Sequence, residues 1–470
     1  MSIVADIQTT QRSRAKGKTE KTWLESPAPI VEAKPAREDN KLKLQDRAGH
    51  DWYRFILSYP PHLVRDYAQK FGLAPGAHVL DPFCGTGTTL VECKKLGFSS
   101  EGTEPNPVAW FASQTKVSWK VDPDELLSHA RAVAQRAAER IQADGFEESD
   151  DLPLFITDGK PTSSLRTLPA EAWKLLLNGS ISPLPLHKTL VLLEVLAEMR
   201  DARFADHERL ALAKALVNGI GNIYFGPEVG VGTAKADAPV VSLWLNGVRA
   251  MSEDLRALQS QSDVPAVVHL ADARQPFSVL KPNSVDAVIT SPPYPNEKDY
   301  TRTTRLEAVL LGFISNKEEL RTLKKRMVRS NTRGVYKGDD DDELVGGHAE
   351  IQRIATQIEQ RRIDLGKTSG FERLYAKVTK LYFGGMARHL AELRTVLRPG
   401  AQLAYVVGDQ ASYLRVMIRT GQLLADIAQS LGYEVVGIDL FRTRLATATK
   451  EQLREEVVLL RWPGKKSSRA

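Results

Sequence analysis

Cysteine is scarce: Cys84 and Cys93 are the only two in 470 residues. Two thiols alone cannot make a four-ligand zinc site, and nothing suggests an oxidising compartment, so both are expected to be reduced and no metal is implied. Long apolar runs are missing as well. No stretch approaches the roughly twenty residues of a membrane span, and the first residues are too polar for a secretory leader. The cytoplasm is the expected compartment, with no membrane partner. Neither sign of charge dominates: 64 Lys and Arg against 58 Asp and Glu leave a net charge of +6, which permits a polyanionic partner without demanding one. No internal repeat is visible, and no nuclease-type cluster of acids and lysine stands out.

The chain is long enough for two or more domains. Residues 1–48 are rich in Lys, Arg, Glu, Ser, Thr and Pro and read as a flexible arm, either a solvated tail or a basic strap for nucleic acid. From His50 the aromatics thicken, and Leu63, Val64, Tyr67 and Phe71 share one helical face. Val79 and Leu80 then form a short apolar run ending in Asp81-Pro82, followed by Phe83-Cys84-Gly85-Thr86-Gly87-Thr88-Thr89 and by Leu90, Val91 and Leu96 at helical spacing. This predicts strand, tight loop and helix. Glycines in such a loop let backbone approach a ligand, and a helix N-terminus favours polar or anionic groups. Glu104, about seventeen residues past Gly87, is placed to accept hydrogen bonds from a ribose diol. Together these features point to a nucleoside cofactor.

Residues 120–263 read as a large helical insertion, with helices over Leu127–Ile141 and Lys188–Met199 and loops at Asp150–Pro153 and Pro183–Pro185. Within it, Gly226-Pro227-Glu228-Val229-Gly230-Val231-Gly232-Thr233 has no clear preceding strand and no following Lys-Ser/Thr pair, so a substrate-facing loop is expected rather than a phosphate loop. Strand signals resume at Val267–Leu270, ending near Asp272, and at Ser284–Ile289, ending in Thr290-Ser291-Pro292-Pro293-Tyr294. Lys324, Lys325, Arg326 and Arg329 then form a basic run beside the acidic patch Asp339–Glu343, readable as a phosphate grip or as a self-neutralising surface. A long helix from Tyr375 to Val396, a strand at Leu403–Val407, a helix at Thr420–Leu431 and two closing strands complete the pattern. The expected fold is α/β, a doubly wound, mainly parallel sheet interrupted by a helical insertion.

Ligands sit at the carboxyl ends of such strands, where Asp81, Glu104, Asp272 and Ser291–Tyr294 fall. The last group is the most informative. Proline fixes φ and removes the backbone donor, leaving carbonyls free to accept. The lone pair of a base's exocyclic amine is conjugated into the ring, so it attacks well only when acceptors hold both N–H groups. The Pro292 carbonyl and the Ser291 side chain are suitable acceptors, and Tyr294 offers a stacking face for an extruded base. The competing readings are a helix-capping Asp272 and a merely packing Tyr294.

Asp81–Thr89 together with Thr290–Tyr294 resembles the S-adenosylmethionine-dependent DNA amino-methyltransferases, with a Rossmann-like methyltransferase fold. The resemblance covers residues 50–110, 265–315 and 375–462. It implies S-adenosyl-L-methionine as cofactor, with Asp81, Phe83, Gly85, Gly87 and Thr88 as loop contacts, Glu104 on the ribose and Asp272 on the adenine side. It makes Ser291, Pro292, Pro293 and Tyr294 the catalytic turn. Tyr59-Pro60-Pro61 is similar to the family's element before the loop. Serine at the head of the turn is typical of cytosine-N4 enzymes, with adenine N6 as the alternative; RNA or protein amide methylation and a non-catalytic cofactor-sensing or DNA-binding role are the rivals. The implied partner is double-stranded DNA with the target base flipped, and a cognate restriction nuclease fits such an enzyme. The implied division is 49–119 and 264–465 as two parts of one catalytic domain, with 120–263 or 315–370 recognising the target. Cys84, in the cofactor loop, is badly placed for the covalent attack that carbon-5 methylation requires.

Overall fold

The computed structural model describes residues 41–55, 58–148, 164–225, 228–275, 278–296, 298–445 and 452–464. Most of the N-terminal arm, the Asp150–Pro153 loop, and Gly226-Pro227 lie outside the described residues. From the N-terminus the larger elements are α1 (Pro61–Lys70), β1 (His78–Asp81), α2 (Thr88–Leu96), β2 (Ser99–Thr103), α3 (Pro107–Lys116), α4 (Pro123–Ala143), α5 (Pro183–Glu198) and α6 (Ala205–Ala215). A small hairpin, β3 (Ile223–Phe225) with β4 (Val229–Val231), precedes α7 (Val240–Leu258), β5 (Ala266–His269) and β6 (Val285–Thr290). There follow α8 (Arg305–Leu310), α9 (Lys317–Lys325), α10 (Ala349–Asp364), α11 (Tyr375–Leu393), β7 (Leu397–Gly408), α12 (Thr420–Ser430), β8 (Glu434–Leu445) and β9 (Gln452–Arg461).

The main sheet has the order β5-β2-β1-β6-β7-β9-β8, and only β9 runs against its neighbours. This is the doubly wound, Rossmann-like methyltransferase sheet. Its central strands carry short apolar runs, Val79–Leu80, Ala287–Ile289 and Leu403–Val407, because both faces are covered. Alternate residues go to opposite cores: Leu80, Val288, Leu403 and Tyr405 pack under α11 and α12, while Val79, Ile289, Ala404 and Val406 pack with Leu63, Val64 and Tyr67 of α1. The helices α4 to α7 share a third core with Trp52, Trp119 and Trp244.

Two local expectations are corrected. Pro183–Pro185 is no loop: Pro183 opens α5, where a proline's missing N–H costs nothing. The glycine-rich piece is not simply a loop either, since Val229–Val231 pairs with Ile223–Phe225. At Gly230 the exposed Tyr224 ring lies over the backbone, 2.6 Å from where a Cβ would stand, so a larger residue there would push the ring aside. Three-residue strands carry too little alternation to be seen in sequence.

A close crossing of backbones offers a stability test. A Cβ on Gly384 in α11 would lie 1.8 Å from the Asp341 carbonyl oxygen, whereas one on Gly385 meets its nearest neighbours at 3.3 Å. Gly384→Ala is expected to destabilise the fold by about 3 kcal/mol. Gly385→Ala should cost much less, and thermal unfolding midpoints of the two variants compare them directly.

Candidate active site

The chain leaves β1 toward β2 and β5 on one side, and later fills β6, β7, β9 and β8 on the other. The crevice at the carboxyl ends of β1 and β6 is therefore the topological switch point, the place where doubly wound sheets bind ligands. A cavity of about 640 Å³ opens there, walled by Phe83–Thr86, Thr88, Glu104, Asp272, Ser291–Tyr294 and Gln410, among others. Its volume lies in the range of small-molecule sites.

Beneath the wall lies the carboxylate of Asp81, fully buried. Its Oδ1 accepts from the Phe83 amide at 3.1 Å and the Thr290 hydroxyl at 2.5 Å. Its Oδ2 accepts from the Thr89 hydroxyl at 2.5 Å and Tyr59 OH at 3.3 Å. Thr89 also hydrogen-bonds Tyr59 and the Ile289 carbonyl. One carboxylate thus ties the glycine loop, the first turn of α2, the end of β6 and the segment before α1. Burial pushes its pKa up to about 6 against the pull of these donors.

The loop takes φ +51° at Gly85 and φ +86° at Gly87, left-handed values that suit glycine. Gly87 caps α2 and packs on Ser113, 2.5 Å from where a Cβ would stand. From behind, the buried Lys116 donates to the Thr86 carbonyl at 2.7 Å and the Tyr53 carbonyl at 3.2 Å; burial brings its pKa down to about 7. Glu104 holds the loop from the front, accepting from the Gly85 amide at 3.0 Å and the Asn106 amide at 2.8 Å. Burial raises its carboxyl to about 7. Thr86 Oγ1, buried in the same wall, makes no hydrogen bond among the described residues.

Asp272 also reaches the cavity, but its carboxylate is gripped by Arg274. Oδ1 accepts from the Arg274 amide at 2.9 Å and Nε at 3.0 Å, and Oδ2 accepts from Nη2 at 2.7 Å. Arg274 is itself held by Asp341 at 2.7 Å. The neighbouring Ala273 carbonyl accepts from Nδ1 of buried His389, whose Nε2 accepts from Tyr405 and whose ring stands edge-on to Phe83 at 4.8 Å. In the proline turn, the Ser291 hydroxyl donates to the Val406 carbonyl at 3.1 Å and also neighbours the Tyr294 phenol, which still leaves it a lone pair able to accept. The Tyr294 ring lies on Gly408, where a Cβ would come within 3.0 Å of it. Burial raises the Tyr294 phenol and keeps it neutral.

Of the residues singled out in the sequence, Phe83, Gly85, Thr88, Glu104, Asp272, Ser291, Pro292, Pro293 and Tyr294 line this single cavity. Asp81 and Gly87 are not among the lining residues and instead brace the loop. Sequence reasoning missed Lys116, Arg274, His389, Gly408 and Gln410. None of these sits in a motif, and a lone histidine or lysine on an apolar helix carries no signal of its partner. Cys84 lines the cavity, but burial raises its thiol well above the ordinary value, which disfavours the thiolate a nucleophile needs.

The fold is that of a methyltransferase. The chain is similar to the Type II methyltransferase M.BsoBI of Geobacillus stearothermophilus, 26% identical over 446 residues that span 89% of this chain and 85% of that protein. It is similar also to Type II methyltransferase M.AvaI of Nostoc sp., 22% identical over 90% of this chain and 88% of that one. No family model matches. Among solved structures, TrmN from Thermus thermophilus overlaps 86% of this chain and 48% of its own at 10% identity, with a TM-score of 0.26, too low to bear on function.

The two raised carboxyls make a pH prediction. The folded chain keeps protons on Asp81 and Glu104 to about pH 6 and 7, above the ordinary 3.8 and 4.5. It therefore binds more protons than the unfolded chain between those limits, and the contribution of these groups to stability falls as pH rises from about 4 to 7, then levels. The stability of wild type relative to Asp81→Asn is expected to decline by at most about 1.4 kcal/mol per pH unit between pH 4 and 6 and to be constant above 7, as read by denaturant titration.

Proposed function

We propose that the protein transfers a methyl group from S-adenosyl-L-methionine to an exocyclic amine of a base in double-stranded DNA, the N4 of cytosine, with adenine N6 as the other acceptor of the same chemistry. The observation that carries this reading is that the glycine loop and the Ser291–Tyr294 turn, far apart in sequence, wall the same cavity. The similarity to Type II methyltransferases along most of the chain supports DNA as the substrate.

The residues present suit the cofactor. An unpartnered buried hydroxyl at Thr86 and a left-handed glycine at Gly85 form the cradle. The two Glu104 oxygens each accept one amide and retain a lone pair for a diol. Phe83, Gly85, Thr86 and Thr88 would hold the methionine part, Glu104 the ribose, and Asp272 with Ala273 the adenine. S-adenosyl-L-methionine, when bound, supplies a methyl group on a positively charged sulfur.

The chain's own part is positioning. Ser291 Oγ and the Pro292 carbonyl accept the two amine N–H groups, which frees the nitrogen lone pair to point along the line of transfer. Tyr294 stacks on the extruded base. Holding the amine and donor in line supplies much of the acceleration. Target recognition is assigned to the helical insertion and to residues 315–370, because Glu228 of the first and Arg326–Val328 of the second reach the cavity rim.

Labelled methyl transfer to mixed-sequence DNA tests the reading. Wild type is expected to label DNA, and Tyr294→Ala to lose about 100-fold in rate; no transfer by wild type, or full activity of Pro292→Ala combined with Tyr294→Ala, would sink it. Sequencing of modified bases then identifies the acceptor. Cofactor binding carries its own pH signature. Ribose hydroxyls donate to the ionised Glu104, so affinity is expected to fall by up to about tenfold per pH unit below 7 and to level above it. In Glu104→Gln calorimetric titration should give weaker binding and no such step.

A further inference from the structure

One wall of the cavity has no task in the chemistry above. β7 passes beside the proline turn, and alternate positions along it and just beyond its end meet the turn in order. The Val406 carbonyl takes the Ser291 hydroxyl, Gly408 carries the Tyr294 ring, and Gln410 lines the cavity next. The Gln410 backbone is pinned: its amide donates to the Ile418 carbonyl at 3.0 Å, and its carbonyl accepts from the Ile418 amide at 2.7 Å. Its side chain is not. Only the Ser412 hydroxyl approaches Oε1, at 3.5 Å, and Nε2 makes no hydrogen bond among the described residues although Gln410 is only 3% exposed. A buried amide donor without an acceptor is costly to keep, and the place where it is kept adjoins the catalytic turn.

Cytosine and adenine share one feature besides the amine: a ring nitrogen acceptor on the adjacent atom, N3 in cytosine and N1 in adenine. Thymine and guanine present an N–H at the equivalent place. With the amine turned toward Ser291 and Pro292, that ring nitrogen needs a donor close to the turn. We infer that Gln410 Nε2 donates to it, which makes Gln410 the residue that selects an amino-bearing base and rejects one carrying a ring N–H. The inference rests on the base-amine reading and adds its specificity determinant. A site built to hydrogen-bond its substrate discriminates strongly, because a substrate without the matching group leaves the site's buried donor unpaired.

The test uses the full chain and two synthetic duplexes containing the methylated site located by sequencing. One is unmodified; in the other the target base has its ring nitrogen replaced by C–H, as 3-deazacytosine or 1-deazaadenine. On the unmodified duplex Gln410→Leu is expected to lower kcat/KM by about 10- to 100-fold, and Gln410→Glu by more, since it offers an acceptor to an acceptor. Cofactor affinity by calorimetry should stay within about twofold of wild type, which also reports that the variants fold. Gln410→Met is measured alongside, so that misfolding of one variant is not read as loss of a contact. On the deaza duplex wild type and Gln410→Leu should be equally slow. Wild-type kcat/KM in Gln410→Leu and Gln410→Met, or the same fold-loss on both duplexes, overturns the inference while the base-amine reading stands. Absence of DNA labelling by wild type overturns both.

Discussion

Everything at this site hangs on one buried carboxylate. Asp81 ends β1, and its two oxygens gather donors from four segments: Phe83 in the loop, Thr89 at the start of α2, Thr290 at the end of β6 and Tyr59 before α1. The bond to Thr290 joins positions 209 residues apart. Thr290 is followed directly by Ser291, so the carboxylate that shapes the glycine loop also fixes where the proline turn begins. In a low-dielectric interior such a set of bonds is strong when complete and costly when a member is lost. Asp81 matters here as the joint between two segments that line the cavity.

The sheet order explains how so much chain separates those segments without disturbing them. The insertion leaves after β2 and α3 and returns at β5, and β2 and β5 are paired neighbours, Ser100 opposite Ala266. Its two ends therefore meet at the edge of the sheet, where Lys120 also pairs with Asp263, so the strand order through β2, β1 and β6 is left uninterrupted. Helices α4 to α7 bury their apolar faces against one another and around Trp244, not in the cavity. Among the described residues of the insertion, Glu228, beside the hairpin, is the one that lines the cavity.

A second layer of side chains keeps the cavity-lining groups in place. Lys116 pulls the Thr86 carbonyl from behind, Arg274 and Asp341 fix Asp272, and His389 spans from Tyr405 to the Ala273 carbonyl. These contacts join helices to loops across the sheet. The cavity lining carries four cations, Lys298, Arg326, Arg442 and Arg444, and four acids, Glu104, Glu228, Asp272 and Glu455, with Arg442 and Arg444 both paired to Glu455. That balance keeps the pocket from being strongly charged.

Much of this was legible in order of residues. Apolar runs, proline-glycine breaks and helical spacing located β1, α2, β6, α11 and α12 nearly to the residue, since these signals are local and concern elements buried on one or both faces. The paired motifs named the loop and the turn for the same reason. The hairpin around Gly230 and the first turn of α5 were misread because short strands and N1 prolines look like loops. What sequence could not decide was facing. Asp81 and Thr88 sit in one motif, yet Asp81 turns inward to a threonine on another strand while Thr88 meets the cavity; Gln410 sits in no motif and lines the same space. Facing depends on strand register and on partners hundreds of residues away. The sequence by itself determined most of the elements and which residue types stand at their ends, and only the tertiary structure decided which side chains share a cavity, because that choice is made by long-range packing and not by neighbours along the chain.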